Sequence, residues 1–485
     1  MNNSNEVAHR MRRFSAVLSA LVLLVLCLCS CAFAEEDGSL VSGDYTYRLQ
    51  ADGSAILAEY RGSSEYLVVP DRFGDAPVKA IGANAFSHNN SILYLELPET
   101  LESIGDYAFL YCSSLTCLNL PDSVREIGRN PFAGCESLSD IELSADHAYL
   151  ALRDSVLYSL ADSRLVYYPM TGEKGPYTVA EGTKAIGASA FYLCERLTEL
   201  SLPDTVTSIG KTAFFSCVGL KSINLPDSLS YLGDGAFNGC RSLTSLEFPD
   251  TITEIGDSAF QDCTSLNTLI LPEGATSIGN RAFCNCSSLT SLTLPEGITA
   301  IGQSTFADCK SLREIVLPED VTYIGGSAFL NCYALESVNI PEDVTYIGSA
   351  AFYFCSSLQS LELPDFCFYI GPKAFFACSA LTDLTLPMML NNVNAEMFAG
   401  CGFTELELPD GITSIGERAF LGCANLTSIE IPAKVTSIGR EAFLSCISLE
   451  SVEFPESLTY VGEDAFKQCP RLTGLPDFSG LSDPE

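Results

Sequence analysis

The apolar positions of this chain recur as a fixed word, LxxLxLPxxVTxIGxxAFxxC, and Leu289 to Cys309 is a representative copy. Leu292-Thr293-Leu294 alternates like a short strand with both leucines on one side. Pro295 ends that ladder because it has no N–H to donate. A second β-like stretch follows at Ile298-Thr299-Ala300-Ile301, and Gly302 is expected to give the backbone a turn that a Cβ would resist. The Ala-Phe pair, here Thr305-Phe306, then fills the interior at the next corner.

The word repeats with a strict beat. Pro203, Pro226, Pro249, Pro272, Pro295, Pro318, Pro341, Pro364 and Pro387 are each 23 residues apart, one step of 22 leads to Pro409, and the period resumes at Pro432 and Pro455. Pro98 and Pro121 belong to the same series, and the motif phenylalanines, from Phe86 to Phe466, mark 16 units. The handful of apolar residues in one unit cannot close a core alone, so the units must stack. The predicted fold is therefore a β-rich solenoid of short parallel strands, about 16 coils of 23 residues.

With these residues in place, the chain resembles the BspA-like bacterial surface leucine-rich repeat family, in its 23-residue class, over about residues 67–475. The resemblance implies a leucine-rich-repeat solenoid, of the α/β repeat class but rich in strand. It also implies an exported bacterial protein associated with adhesion to host or neighbouring-cell surfaces. It says less about the partner, because solenoids carry their specificity in variable positions.

Four segments leave the period. Arg10, Arg12 and Arg13 precede the apolar run Phe14–Leu28, and Ala32-Phe33-Ala34 follows, so residues 1–34 read as a secretory signal peptide. Cleavage after Ala34 competes with a lipobox-like reading of Leu28-Cys29-Ser30-Cys31, in which Cys31 is acylated and anchors the chain. No second apolar run long enough to span a bilayer follows. Residues 35–66 hold two alternating segments around Asp52-Gly53 and read as an N-terminal hairpin cap. Between Phe132 and Phe191 lie 59 residues, 23 plus 36, and the extra piece near 144–179 is hairpin-like: a contact bump, or an excursion covering the adjoining coils. Residues 476–485 form a short acidic tail, with no separate C-terminal cap visible.

Fifteen of the 21 cysteines sit three residues after the repeat Phe: Cys112, Cys135, Cys194, Cys217, Cys240, Cys263, Cys286, Cys309, Cys332, Cys355, Cys378, Cys401, Cys423, Cys446 and Cys469. Asn89 takes that place in the first unit. Side chains related by pure translation keep their Cβ atoms about 4.8 Å apart, wider than a disulfide prefers. The ladder accordingly reads as buried thiols filling small apolar spaces rather than as disulfides or a metal centre. Cys117, Cys284 and Cys367 stand off it.

The residue between the two leucine-type positions of each first strand points away from the core and varies from unit to unit. Candidate binding residues on this face are Glu247, Ile270, Thr293, Val316, Asn339, Glu362, Glu407, Glu430 and Glu453, with Glu405 at the companion outward position. A second row, from Glu99 and Asp122 to Asp410 and Glu456, places an acid after most of the repeat prolines. Turn chemistry accounts for it if these side chains accept backbone N–H groups; bridging by a hard divalent cation is the alternative.

Composition narrows the function. With 26 Lys+Arg against 61 Asp+Glu the net charge is −35, which opposes nucleic acid and anionic lipid. There is no Trp and there are three His (His9, His88, His147), too few for a histidine-based metal or acid–base site. No GxSxG, HExxH, GxxxxGK[ST] or strand-linked GxGxxG occurs. The sequence therefore reads as a non-enzymatic protein without cofactor or metal, whose partner is an extracellular protein or glycan. A passive structural or coat protein and a lipid-anchored ligand-capture protein are the rival readings.

Overall fold

The computed structural model describes residues 33–34, 38–171 and 175–478. The rest of the expected signal segment, including Cys27, Cys29 and Cys31, and the tail from residue 479 lie outside the described residues. The chain divides into two compact units, 1–155 and 156–485.

In the first unit, Leu40–Ser42, Tyr45–Leu49 and Ala55–Tyr60 form an antiparallel meander, and the backbone of Phe33–Ala34 pairs with its first strand. Ala55–Tyr60 then begins a parallel series through Ala76–Ile81, Ser103–Ile104 and Glu126–Ile127. The other side of the coil is a parallel sheet of Tyr66–Val68, Tyr94–Glu96, Cys117–Asn119 and Asp140–Glu142. The second unit opens on an antiparallel hairpin, Val156–Ser159 with Arg164–Tyr167. Arg164–Tyr167 also pairs in parallel with Ala185–Ile186, so this segment is part of the stack. Tyr168 lies 23 residues before Phe191 and stacks on its ring at 4.9 Å, taking the Phe station of a degenerate coil. From there the short strands repeat in register; Tyr323–Ile324, Tyr346–Ile347 and Tyr369–Ile370 are one such run.

Both units are leucine-rich-repeat solenoids of parallel stacked strands, as the period predicts. Two β-like stretches per unit were legible; a third hydrogen-bonded side was not. The arch around the repeat Phe also bonds coil to coil: Thr212 N donates to Asp234 O, Phe214 N to Ala236 O and Ser216 N to Asn238 O at 2.7–2.8 Å. It does so with the residues two before and two after the Phe in the left-handed region, as at Ser327 (φ 56°) and Asn331 (φ 59°) around Phe329. That conformation costs a non-glycine residue about 1–2 kcal/mol, so the coil-to-coil bonds must hold it.

The core is a spine of fully buried Phe rings. In the second unit successive centroids lie between 4.9 Å (Phe420–Phe443) and 5.9 Å (Phe375–Phe398), mostly stacked. At the far end Phe478 packs on Phe454 and Phe466, at 5.3 and 6.3 Å, and continues the spine.

The repeat Gly has a different cause from the one the sequence suggested. Gly371 does not have a positive φ; a Cβ there would come 2.4 Å from Ser349 N of the preceding coil. The residue is small because adjacent backbones approach closely, not because the chain turns left-handed.

Candidate functional site

The strand face is built by alternation. In Ser291–Thr293 the central Leu292 is buried and its two neighbours are exposed, and the same pattern holds in Ser245–Glu247, Thr268–Ile270, Glu314–Val316, Ser360–Glu362 and Asp383–Thr385. Glu247, Ile270, Thr293, Val316, Asn339, Glu362, Glu405, Glu407, Glu430 and Glu453 are all exposed. The register sets Glu247 beside Ile270, Thr293 beside Val316, and Glu430 beside Glu453. Ile270 and Val316 are 59% and 66% exposed, far above what a core residue shows.

Three candidates differ in character from the rest. Asn339 donates from Nδ2 to Leu317 O (2.9 Å) and accepts at Oδ1 from Leu317 N (2.7 Å), so its amide completes a neighbouring strand. Asn224 does the same for Leu202. Glu405 and Glu407 lie on a segment without strand pairing, at the 22-residue step, whereas Glu430 and Glu453 face each other across a parallel pair.

The thiol ladder does more than fill space. All 18 described cysteines are free. Each ladder thiol donates to the main-chain carbonyl of the aromatic residue one coil back: Cys112 to Phe86 O (3.0 Å), Cys217 to Phe191 O (3.0 Å), Cys309 to Phe283 O (3.2 Å), and so to Cys469 and Phe443 O (3.2 Å). Cys194 reaches Tyr168 O at 3.7 Å, the same bond in the degenerate coil. Asn89 replaces the thiol with an amide whose Nδ2 donates to Gly62 O at 2.9 Å. Burial pushes the Cys112, Cys378 and Cys423 thiols up to about 12.

Off the ladder, Cys367 is buried at the repeat's Val position, and Cys284 is half-buried. Cys117 lies on the strand face beside Asp140, and burial together with the Glu142 and Asp140 carboxylates pushes its thiol up to about 12. The ligand atoms of Cys117, Asp140 and Glu142 lie within 4.8 Å of one another, a mixed sulfur and oxygen set that divalent zinc tolerates. Asn119 Nδ2 donates to Glu142 Oε2 at 3.3 Å beside it. Sequence spacing hid this trio because Cys117 sits one coil before the strand that carries Asp140 and Glu142.

The acidic row behaves otherwise than turn chemistry suggested. Its residues are exposed, and the turns close through the backbone, as in Val206 N to Pro203 O (3.1 Å) and Leu229 N to Pro226 O (2.9 Å). The side chain that bridges coils there is the next hydroxyl: Ser228 Oγ donates to Val206 O at 2.7 Å and Ser457 Oγ to Val435 O at 2.7 Å. Acids and amides do accept main-chain N–H groups after the repeat Gly. Asn280 N donates to Asp257 Oδ1 (2.6 Å) and Gln303 N to Asn280 Oδ1 (2.8 Å).

A stacked frame with a varied exposed strand face defines a leucine-rich-repeat protein. The profile described as BspA type leucine rich repeat region (6 copies) matches residues 75–158 and a set of overlapping spans from 184 to 473. The chain belongs to the BspA-type leucine-rich repeat family. Among solved structures it is similar to a leucine-rich repeat protein from Bacteroides ovatus, with 27% identity, covering 89% of this chain and 92% of that one at a TM-score of 0.41. A leucine rich cell surface protein from Faecalibacterium prausnitzii is 23% identical, covering 87% of this chain and 96% of its own at a TM-score of 0.39. The pneumococcal vaccine antigen PcpA is 19% identical, covering 65% of this chain and 94% of its own at a TM-score of 0.33. No curated protein matches the chain.

Proposed function

We propose that the protein is exported to the bacterial cell surface and binds an extracellular protein or glycan through its strand face, acting in adhesion and not as an enzyme. The observation that carries this reading is the contrast within each first strand. Its central residue is a buried Leu or close relative in coil after coil, while the exposed position beside it runs through Glu, Ile, Thr, Val and Asn. A frame that needs only the buried positions leaves the exposed ones open to selection for a ligand.

The test is binding of purified protein to a panel of matrix proteins, mucins and bacterial surface glycans, beside the Glu407→Ala/Glu430→Ala/Glu453→Ala variant. Loss of binding in the variant supports an adhesive site on the C-terminal strand face. Binding to nothing, together with concentration-dependent assembly in light scattering, turns the reading to a structural coat. Mass spectrometry of the mature N-terminus distinguishes cleavage before Glu35 from acylation at Cys31.

A further inference from the structure

In a repeat protein the other coils state what each position needs for stacking. A residue that departs from them on the solvent side is free of that duty. The clearest departures lie between Pro364 and Asn391. At the second position after the repeat Pro, neighbouring coils carry Asp320 and Asp343, but this pair of coils carries Phe366 and Met389. At the first position Met388 interrupts the acidic row, and at the fourth Phe368 stands where Thr322 and Thr345 stand. Those threonines donate to the carbonyl of the coil before, at 3.4 and 3.3 Å, a bond that Phe368 gives up.

None of the four is recovered by the core: Phe366 is 70% exposed, Phe368 56%, Met388 69% and Met389 57%. Tyr369, next to Phe368 in the chain, ends a surface ladder of Tyr323, Tyr346 and Tyr369, whose rings stack at 4.9 and 4.8 Å. Exposed apolar side chains of this size grouped on two successive coils mark an interaction surface. The flank is acidic: Glu319, Asp320, Glu342, Asp343 and Asp365 are all exposed, on a chain of net charge −35.

We propose that this surface docks a basic amphipathic segment of a partner protein, seating its apolar side chains on Phe366, Phe368, Met388 and Met389 and its Lys or Arg on the flanking carboxylates. Unbranched, polarisable methionines suit apolar side chains of varied shape. A neutral sugar would leave the flanking carboxylates without a counter-charge. A second copy of the chain would bring the same acidic row and be repelled. The surface lies after the repeat prolines, on positions other than the strand-face stripe, and does not rest on that stripe being a binding site.

The probe is a short synthetic Leu/Lys peptide with its leucines on one helical face and a single Trp, readable because the protein has no Trp. It is compared with a scrambled peptide of the same composition. The variant is Phe366→Asp/Phe368→Thr/Met388→Glu/Met389→Asp, which installs residues that other coils already carry at these positions and so retains the fold. The native protein is expected to bind the amphipathic peptide at least about tenfold more tightly than the scrambled one, and the variant to lose that preference. The variant is also more acidic, so unchanged or tighter binding would show attraction by charge alone and overturn the proposal. Equal binding of the scrambled peptide overturns it too, as does a neutral oligosaccharide or self-association that the variant abolishes. The Glu407→Ala/Glu430→Ala/Glu453→Ala variant is expected to bind the peptide unchanged; loss there would place the peptide on the strand face and overturn the assignment.

Discussion

At the scale of single residues, the repeat is written by what adjacent coils do to one another. Gly371→Ala would bring a Cβ 2.4 Å from the main-chain nitrogen of Ser349, backbone against backbone, with no flexible side chain to yield. A loss of about 1–3 kcal/mol is expected, as in overpacked cores, read as a lower urea midpoint at unchanged slope. Six residues on, Ala377 has φ 57° and is expected to respond in the opposite sense. Ala377→Gly relieves a left-handed Cβ but loosens the unfolded chain, for a net gain of about 0.5 kcal/mol. The thiols supply a pH signature. A thiol raised from 9.0 to about 12, as at Cys378 and Cys423, contributes its stability in full below pH 9.0 and loses it as pH rises toward the folded value. Each such group adds a slope of about 1.4 kcal/mol per pH unit in that window. Stability is therefore expected to fall steeply above pH 9.0, and Cys378→Ala/Cys423→Ala to lower the protons released on alkaline unfolding by about two. A slope unchanged by the pair would break the link between the ladder and alkaline stability.

At the scale of elements, the strand face sets Glu430 against Glu453 in a parallel pair, where like charges oppose the pairing. Glu453→Lys is expected to raise stability by about 0.2–1 kcal/mol, with the gain shrinking as salt screens it. If the face binds a basic partner, the same change weakens binding, and that divergence separates a functional charge from a structural one. The two strands, their inward leucines and the Phe beat were legible because each is a one-coil pattern that the sequence repeats. What escaped depends on relations between coils. The arch around Phe214 forms a third bonded side with left-handed residues of many types, so no residue signature announces it. The thiol bond from Cys309 to Phe283 O joins residues 26 apart. The degenerate coil at Tyr168 was hidden by the exchange of Phe for Tyr, although its distance from Phe191 kept the beat. Of the strand face, exposure could be read from alternation, but the service of Asn339 to Leu317 could not, because the bond crosses to the neighbouring coil.

At the scale of the whole molecule, translation multiplies whatever charge a unit carries. One acid after a repeat proline is ordinary; the same acid in coil after coil becomes a row, and the chain reaches −35. Neighbouring members of such a row are separated by about one strand spacing, near 4.8 Å, less than the Debye length of about 8 Å at physiological ionic strength. Screening at that salt thus leaves much of the nearest-neighbour repulsion in place, and the unfolded chain, being expanded, escapes most of it. Stability is expected to rise from low to high sodium chloride, the reverse of a protein held by surface ion pairs. The carboxylates after the repeat prolines accept no main-chain N–H that would offset this repulsion, so the row is open to counter-ions. Thermal unfolding at matched ionic strength, in sodium chloride or calcium chloride, then separates two cases. Equal stabilisation means diffuse screening of a solvated edge. A larger shift with calcium, reversed by chelation, means that neighbouring carboxylates share a cation, and Asp320→Asn/Asp343→Asn should then leave most of it intact while Glu319→Gln/Glu342→Gln removes it locally, because the latter pair belongs to the row that follows the prolines.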